Sequence, residues 1–351
     1  MKYHLGMLLL LPSLLIAQQF DGAIEASRSS LESLLSEIPG ISVAVGHQDG
    51  IIWSEGFGYA DAAAGEQVTS DHRFAYYSLS KSITGFAVHQ LAKDQQIDLD
   101  TSILSYDAEL PDHYGDVTMR LLLNHSAGVR HYNKGEWMKI SSDNCDRPKQ
   151  ALETFINDPL TQPAGTAYRY SSFGYVLLSH LIEKVAKRSF DTFVEATLFE
   201  SRSIESIERV SSPKRLDLQA AMYQKWNAKK ETGKLAIVDN SCKFGGGGFI
   251  GTASDLALLH LKVLAEETAT SPLYQPINPD LSNYAYGLGI NTTKGGDRYG
   301  IHTGSGMGGS AVLLLYPEHK LCVVILGNIK SDALKNIVGK IGKPFLDAVK
   351  D

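Results

Sequence analysis

Ile41-Ser42-Val43-Ala44-Val45-Gly46-His47 runs into Gln48-Asp49-Gly50 and returns through residues 51–59. Two apolar runs rich in β-branched residues, separated by an Asp-Gly turn, spell an antiparallel hairpin. On its N-terminal side, residues 23–38 predict a helix with Ile24, Leu31, Leu34, Leu35 and Ile38 on one side. The far end of the chain is built similarly. Residues 284–290 and 299–302 read as short strands, followed by 311–316, a turn at Pro317-Glu318-His319-Lys320, a strand at 321–327 and a last helix at 332–349. Between these β-rich ends, residues 78–264 read as mostly helical with long polar connections. Strands at both termini imply an α/β (α+β) fold, with one antiparallel sheet assembled from both chain ends, flanked by helices and carrying an inserted, mostly helical lobe. The α/β lobe is expected at about 20–77 and 265–351, and the helical lobe at about 78–264.

Composition bounds the function. The 351 residues, 43% hydrophobic and 21% charged, are those of an ordinary globular protein with no internal repeat. A formal charge of −6 argues against nucleic acid or an anionic membrane as partner. Lys2 precedes an apolar stretch at 5–17, interrupted by Pro12, in which Leu15 and Ala17 form the small-residue end of a signal peptide cleaved before Gln18. The stretch falls short of the ~20 residues that span a bilayer. The expectation is therefore a periplasmic or secreted protein with no integral span after cleavage. Cys145, Cys242 and Cys322 show no Cys-x-x-Cys spacing, which removes zinc-ribbon and thioredoxin readings. Cys322 lies in an apolar strand and is expected to be buried and inert. Cys145 and Cys242 fall in polar loops and are free to pair or not, because sequence does not give their separation. No phosphate loop, His-Glu-x-x-His or dinucleotide fingerprint occurs, and neither metal nor cofactor is expected.

The chemistry centres on Ser78-Leu79-Ser80-Lys81. On a helix this spacing brings a hydroxyl and an amine onto one face, the minimal kit for acyl transfer without a histidine base. Ser211-Ser212-Pro213-Lys214 has the same spacing, but Pro213 and the lack of a following apolar stripe make it a loop or a helix start. After Lys81, by contrast, Ile83, Phe86, Ala87 and Leu91 recur at helical spacing. Ser78 then sits in the first turn, where free N–H groups favour a developing oxyanion. Tyr170-Ser171-Ser172 opens another apolar helical run, and His302-Thr303-Gly304-Ser305 follows a strand and precedes Gly306-Met307-Gly308-Gly309, small residues that admit close backbone approach.

Ser78-x-x-Lys81, Tyr170-x-Ser172 and His302-Thr303-Gly304, in that order, resemble the serine β-lactamase and penicillin-binding-protein superfamily in its class C and D-alanyl-D-alanine carboxypeptidase-like branch. The run Val238-Asp239-Asn240-Ser241-Cys242-Lys243-Phe244 with Gly245 to Phe249, together with 122–128 and 80–85, is similar to the LACTB-like proteins. The resemblance implies a β-lactamase/transpeptidase-like fold and a serine hydrolase. Ser78 would be the nucleophile, Lys81 the base and Tyr170 the proton carrier. The Ser78 and Ser305 N–H groups would form the oxyanion hole, and Ser172, His302, Thr303 and Gly304 would bind substrate.

Two departures bear on substrate. Ser172 replaces the Asn of class C enzymes, and His302 stands where β-lactamases mostly carry Lys, so a fixed cation becomes a group mostly neutral at pH 7. Peptide, amide or ester substrates are therefore expected ahead of β-lactams. The rival readings are a slow peptide- or peptidoglycan-binding protein, a self-assembling homo-oligomer as in LACTB-like proteins, and a true β-lactamase. His125 is expected to shape a turn beneath the site, Tyr168 to replace Tyr170 only if the alignment slips, and Asp239 and Lys243 either to line the cleft or to belong to a solvated loop.

Overall fold

The computed structural model describes residues 11–136, 144–210, 216–227, 233–236 and 238–350, with side chains from Gln19 onward. Helix α1 (Leu11–Glu32) leads through a short 3-10 turn at Ser33–Ser36 into strands β1 (Gly40–His47) and β2 (Gly50–Asp61). Strand β3 (Glu66–Gln67) pairs on β2, and β4 (Phe74–Ala75) precedes the 3-10 turn Tyr77–Leu79 that feeds α2 (Ser80–Lys93). Helices α3 (Met119–Leu123) and α4 (Ser172–Ala186), strands β5 (Glu208–Arg209) and β6 (Phe249–Gly251), and helices α5 (Phe244–Gly247) and α6 (Ala253–Glu266) fill the middle of the chain. Strands β7 (Gly289–Thr292), β8 (Arg298–Gly306), β9 (Gly309–Tyr316) and β10 (Leu321–Gly327) and helix α7 (Ala333–Lys350) complete it.

The large sheet has the order β3-β2-β1-β10-β9-β8-β7, so the N-terminal hairpin and the C-terminal strands join where β1 pairs antiparallel with β10, Ile41 opposite Gly327. The apolar strands are continuous rather than alternating because both faces are covered. On β10, Leu321, Val323 and Ile325 pack under α1 and α7, in a core with Trp53, Phe57 and Phe345. Cys322, Val324 and Leu326 face the opposite core with α2, α4 and α6. The parity of a strand thus splits one run of Leu, Val and Ile between two layers. Phe345 anchors the first, stacked 5.9 Å from Trp53 and 6.0 Å from Phe20.

Three expectations are corrected. α1 starts well before Ala23, because the apolar residues preceding that position continue the helical path with their only proline close to its start. The strand expected at 284–290 forms a ladder only from Gly289, with Tyr284 making an isolated bridge. Gly287 interrupts it at φ +93°, in a bend that lays this segment on α2 so closely that a Cβ there would fall on the backbone of Lys81 and Ser82. The middle of the chain also holds a small sheet, β4-β6-β5, whose strands are too short for periodicity to reveal. The second Ser-x-x-Lys copy lies outside the described residues. Cys145 and Cys242 form a disulfide and Cys322 is buried and free, its thiol pushed up by burial. No helix among the described residues is long and apolar enough to cross a membrane.

Candidate active site

The site begins with a strained residue. Tyr77 has φ +48°, in the left-handed region that tyrosine rarely occupies, and turns the chain so that Ser78 leads into α2. Its hydroxyl donates to the Met307 carbonyl at 2.6 Å. Its ring lies against Gly306 and Gly309, where any Cβ would strike it. The Gly-rich run after Ser305 is thereby explained: it makes room for the aromatic ring that holds the turn before Ser78.

Lys81 is fully buried on α2, and its Nζ lies 3.2 Å from Ser78 Oγ, 3.0 Å from Ser172 Oγ and 2.6 Å from the Gly246 carbonyl. No carboxylate is within ion-pair distance of it among the described residues. Burial, then the positive charge of Lys243, holds its pKa well below the ordinary lysine value. A neutral amine has two N–H groups and one lone pair. In that state, with both N–H groups donated to Gly246 and Ser172, the lone pair would be the part of the amine turned to Ser78 Oγ. From the other side the Tyr170 hydroxyl donates to Ser78 Oγ at 2.8 Å, and burial raises the Tyr170 pKa so that the phenol stays protonated.

Local sequence sets this convergence. Ser171 caps α4, accepting from the Gly174 N–H at 3.0 Å, and so puts Ser172 in the first turn beside Lys81. Two histidines of the preceding loop receive the next free donors. His125 Nδ1 accepts from the Ser171 N–H at 3.2 Å, and His131 Nδ1 from the Ser172 N–H at 3.1 Å. His125 also packs beneath Tyr170, ring centroids 4.4 Å apart, and adopts φ +61°. It is a buried support for the phenol. Tyr170, not Tyr168, meets the serine. The glycines of 245–248 let α5 wedge between α2 and α4. A Cβ on Gly245 would meet Ser179 Oγ at 2.7 Å and one on Gly246 the Ser172 carbonyl at 2.7 Å. This close approach is what brings the Gly246 carbonyl to Lys81.

Strand β8 supplies the opposite wall. Gly304 abuts the backbone that leads into Ser78, where a Cβ would sit 3.2 Å from the Ser78 nitrogen, and Ser305 follows it on the strand. His302 Nε2 lies 3.1 Å from the Tyr284 hydroxyl. Burial, with Lys81 nearby, pushes the His302 pKa down to about 3, so it is neutral near pH 7. Ser78, Tyr170, Ser172, His302, Thr303 and Ser305 all line one open cleft of about 530 Å³. Lys243 lines it too, as do His131, Lys134 and Lys330. Sequence reading named Lys243 without placing it, and missed His131, Tyr284 and the Gly246 carbonyl. Among the described residues no three His, Cys, Asp or Glu side chains group as metal ligands.

A family model described as Beta-lactamase matches residues 29–338. The chain is 25% identical to the serine beta-lactamase-like protein LACTB, mitochondrial, of Mus musculus, over 94% of this chain and 81% of that protein. It is 26% identical to penicillin-binding protein 4* of Bacillus subtilis, over 80% and 66%. Among solved structures, the D-amino acid amidase of Ochrobactrum anthropi superposes with a TM-score of 0.76 at 20% identity, covering 94% of this chain and 99% of that one.

Proposed function

The chain belongs to the Beta-lactamase family, and on that premise we propose that it is an exported serine hydrolase acting on peptide, amide or ester substrates through an acyl-enzyme at Ser78. Lys81 takes the Ser78 proton as Oγ attacks the substrate carbonyl. The N–H groups of Ser78 and Ser305 receive the developing oxyanion, each such donor being worth ~10²–10³ in rate. Tyr170 gives its proton to the leaving group, and the protonated Lys81 then restores the phenol. Deacylation runs the relay in reverse, with water in the place of the leaving group. Ser172 orients Lys81, while Thr303 and Gly304 present the edge of β8 to the substrate backbone.

One observation carries the reading: an amine nitrogen at 3.2 Å and a phenol at 2.8 Å meet on one serine oxygen that opens onto a cleft. The neutral His302 supports placing amides and esters ahead of β-lactams. So does the kind of neighbour the fold has, among them a D-amino acid amidase and a D-stereospecific amidohydrolase. The Cys145–Cys242 disulfide supports an oxidising compartment, and hence export. The test is turnover of p-nitrophenyl esters, D-amino acid amides and a chromogenic cephalosporin by the chain lacking residues 1–17. Ester or amide turnover well above that of the cephalosporin, abolished in Ser78→Ala, is expected. Comparable cephalosporin turnover would make it a β-lactamase, and no turnover of any substrate would leave a binding protein.

A further inference from the structure

His302 is neutral and gives the cleft no charge, yet the cleft is cationic. Lys134, Lys243 and Lys330 line it and no Asp or Glu does. Lys134 and Lys330 are exposed, as surface lysines are. Lys243 is different. It is 5% exposed, its Nζ donates to Asn240 Oδ1 at 2.7 Å, and it stands 6.0 Å from the Tyr77 ring. No carboxylate lies within ion-pair distance of it among the described residues. Its neighbour Cys242 is tied by the disulfide to Cys145, and Asn240 is itself buried, so the ammonium is held in place rather than free to swing. Burial lowers its pKa to about 8, with Asp239 opposing the shift, and it keeps its charge at neutral pH. A buried, immobilised cation with Asp239 acting only from beyond ion-pair distance is costly, and a ligand that brings the opposite charge into contact relieves the cost.

We propose that Lys243 is the anion receptor of the cleft, and that the acyl donors attacked by Ser78 carry a carboxylate that docks on it. The proposal rests on the acyl-enzyme reading above. The alternative role for Lys243 is to act only through its field on Lys81. That role would change the rate on every substrate alike, whereas a receptor changes the ratio between charged and neutral substrates.

The experiment measures kcat/KM for matched ester pairs. p-Nitrophenyl hydrogen glutarate against p-nitrophenyl butyrate puts the carboxylate in the acyl part, and m-carboxyphenyl against phenyl acetate puts it in the leaving group. In the wild-type chain one pair should favour the anionic member by about tenfold, the size of one charge-assisted contact. The ratio should fall to about one in Lys243→Met and persist in Lys330→Met. It should also decline in the wild type as pH rises through about 8. Besides the cleft-lining Lys134 and Lys330, the charged groups that act on Lys243 from behind the cleft wall are Asp239 and Lys81, and the effect of Lys81 on chemistry cancels in the ratio. If Lys243→Met does not fold, the wild-type ratio and its pH dependence decide alone. Brisk hydrolysis of neutral esters with a wild-type ratio near one, or a ratio preserved in Lys243→Met, overturns the receptor while leaving the acyl-enzyme standing. Inertness of every ester overturns the acyl-enzyme reading and the receptor with it.

Discussion

Replacing Ser172 by Ala removes one of the two acceptors that occupy the N–H groups of Lys81. In the proposed neutral state of Lys81, Gly246 O at 2.6 Å and Ser172 Oγ at 3.0 Å take both protons of the amine, which leaves its lone pair for Ser78 Oγ at 3.2 Å. Without the Ser172 hydroxyl, an N–H is free to turn onto Ser78 Oγ, and Ser78 then accepts from Lys81 instead of donating to it. A hydrogen bond in this setting is worth roughly 0.5–1.5 kcal/mol, so the productive orientation, and with it acylation, should drop about 2- to 13-fold. Ser172→Asn restores an acceptor through its side-chain oxygen and should recover most of the rate. The assay is the second-order rate constant of inactivation by a fluorophosphonate, with circular dichroism to show that both variants fold. An unchanged rate in Ser172→Ala, or a Ser172→Asn variant as slow as Ser172→Ala, would refute the proposed orientation of the amine.

Three further outcomes follow from the same structure. His302 is neutral down to about pH 3, so His302→Asn should leave the shape of the pH–rate profile between pH 6 and 8 unchanged; an inflection near 6.5 that vanishes in the variant would contradict this. His260 is fully buried, its Nε2 3.0 Å from Ser82 Oγ, and burial lowers its pKa to about 3. Its contribution to stability is present above the unfolded value of about 6.5 and is lost as pH falls from there toward 3, on the order of 3 kcal/mol at pH 4. Urea midpoints that do not fall across that window would contradict it. The disulfide joins residues 97 apart, and in the chain-entropy account it stabilises by about 3–5 kcal/mol. Reduction, or Cys145→Ser with Cys242→Ser, should lower the melting temperature, and a melting curve indifferent to reductant would show that the bond does not form.

Much of this site is legible in the sequence, because its central signals are local. Spacing of i, i+3 places Ser78 and Lys81 on one face of a turn, and a Ser cap ahead of an apolar stripe places Tyr170 and Ser172 at a helix start. The sheet was legible because long runs such as 321–327 have few other fates in a chain with β-rich ends. What stayed hidden depends on long-range packing. The Gly246 carbonyl has no side-chain identity to read, and it reaches Lys81 only because glycines let α5 wedge between two helices. For Lys243 the sequence leaves cleft wall and solvated loop equally open, and the Tyr77 turn and the disulfide that enclose it decide for the wall. Tyr284 fell in an expected strand, but Gly287 bends the chain against α2, and its hydroxyl meets His302.

The central claim is that a neutral Lys81 makes Ser78 a nucleophile, and covalent labelling tests it most directly. Intact-mass and peptide-mapping spectrometry of the fluorophosphonate-treated chain should find one adduct, on the peptide containing Ser78, with Lys81→Ala labelled far more slowly. An adduct on another residue, or equal labelling of Ser78 with and without Lys81, would contradict it.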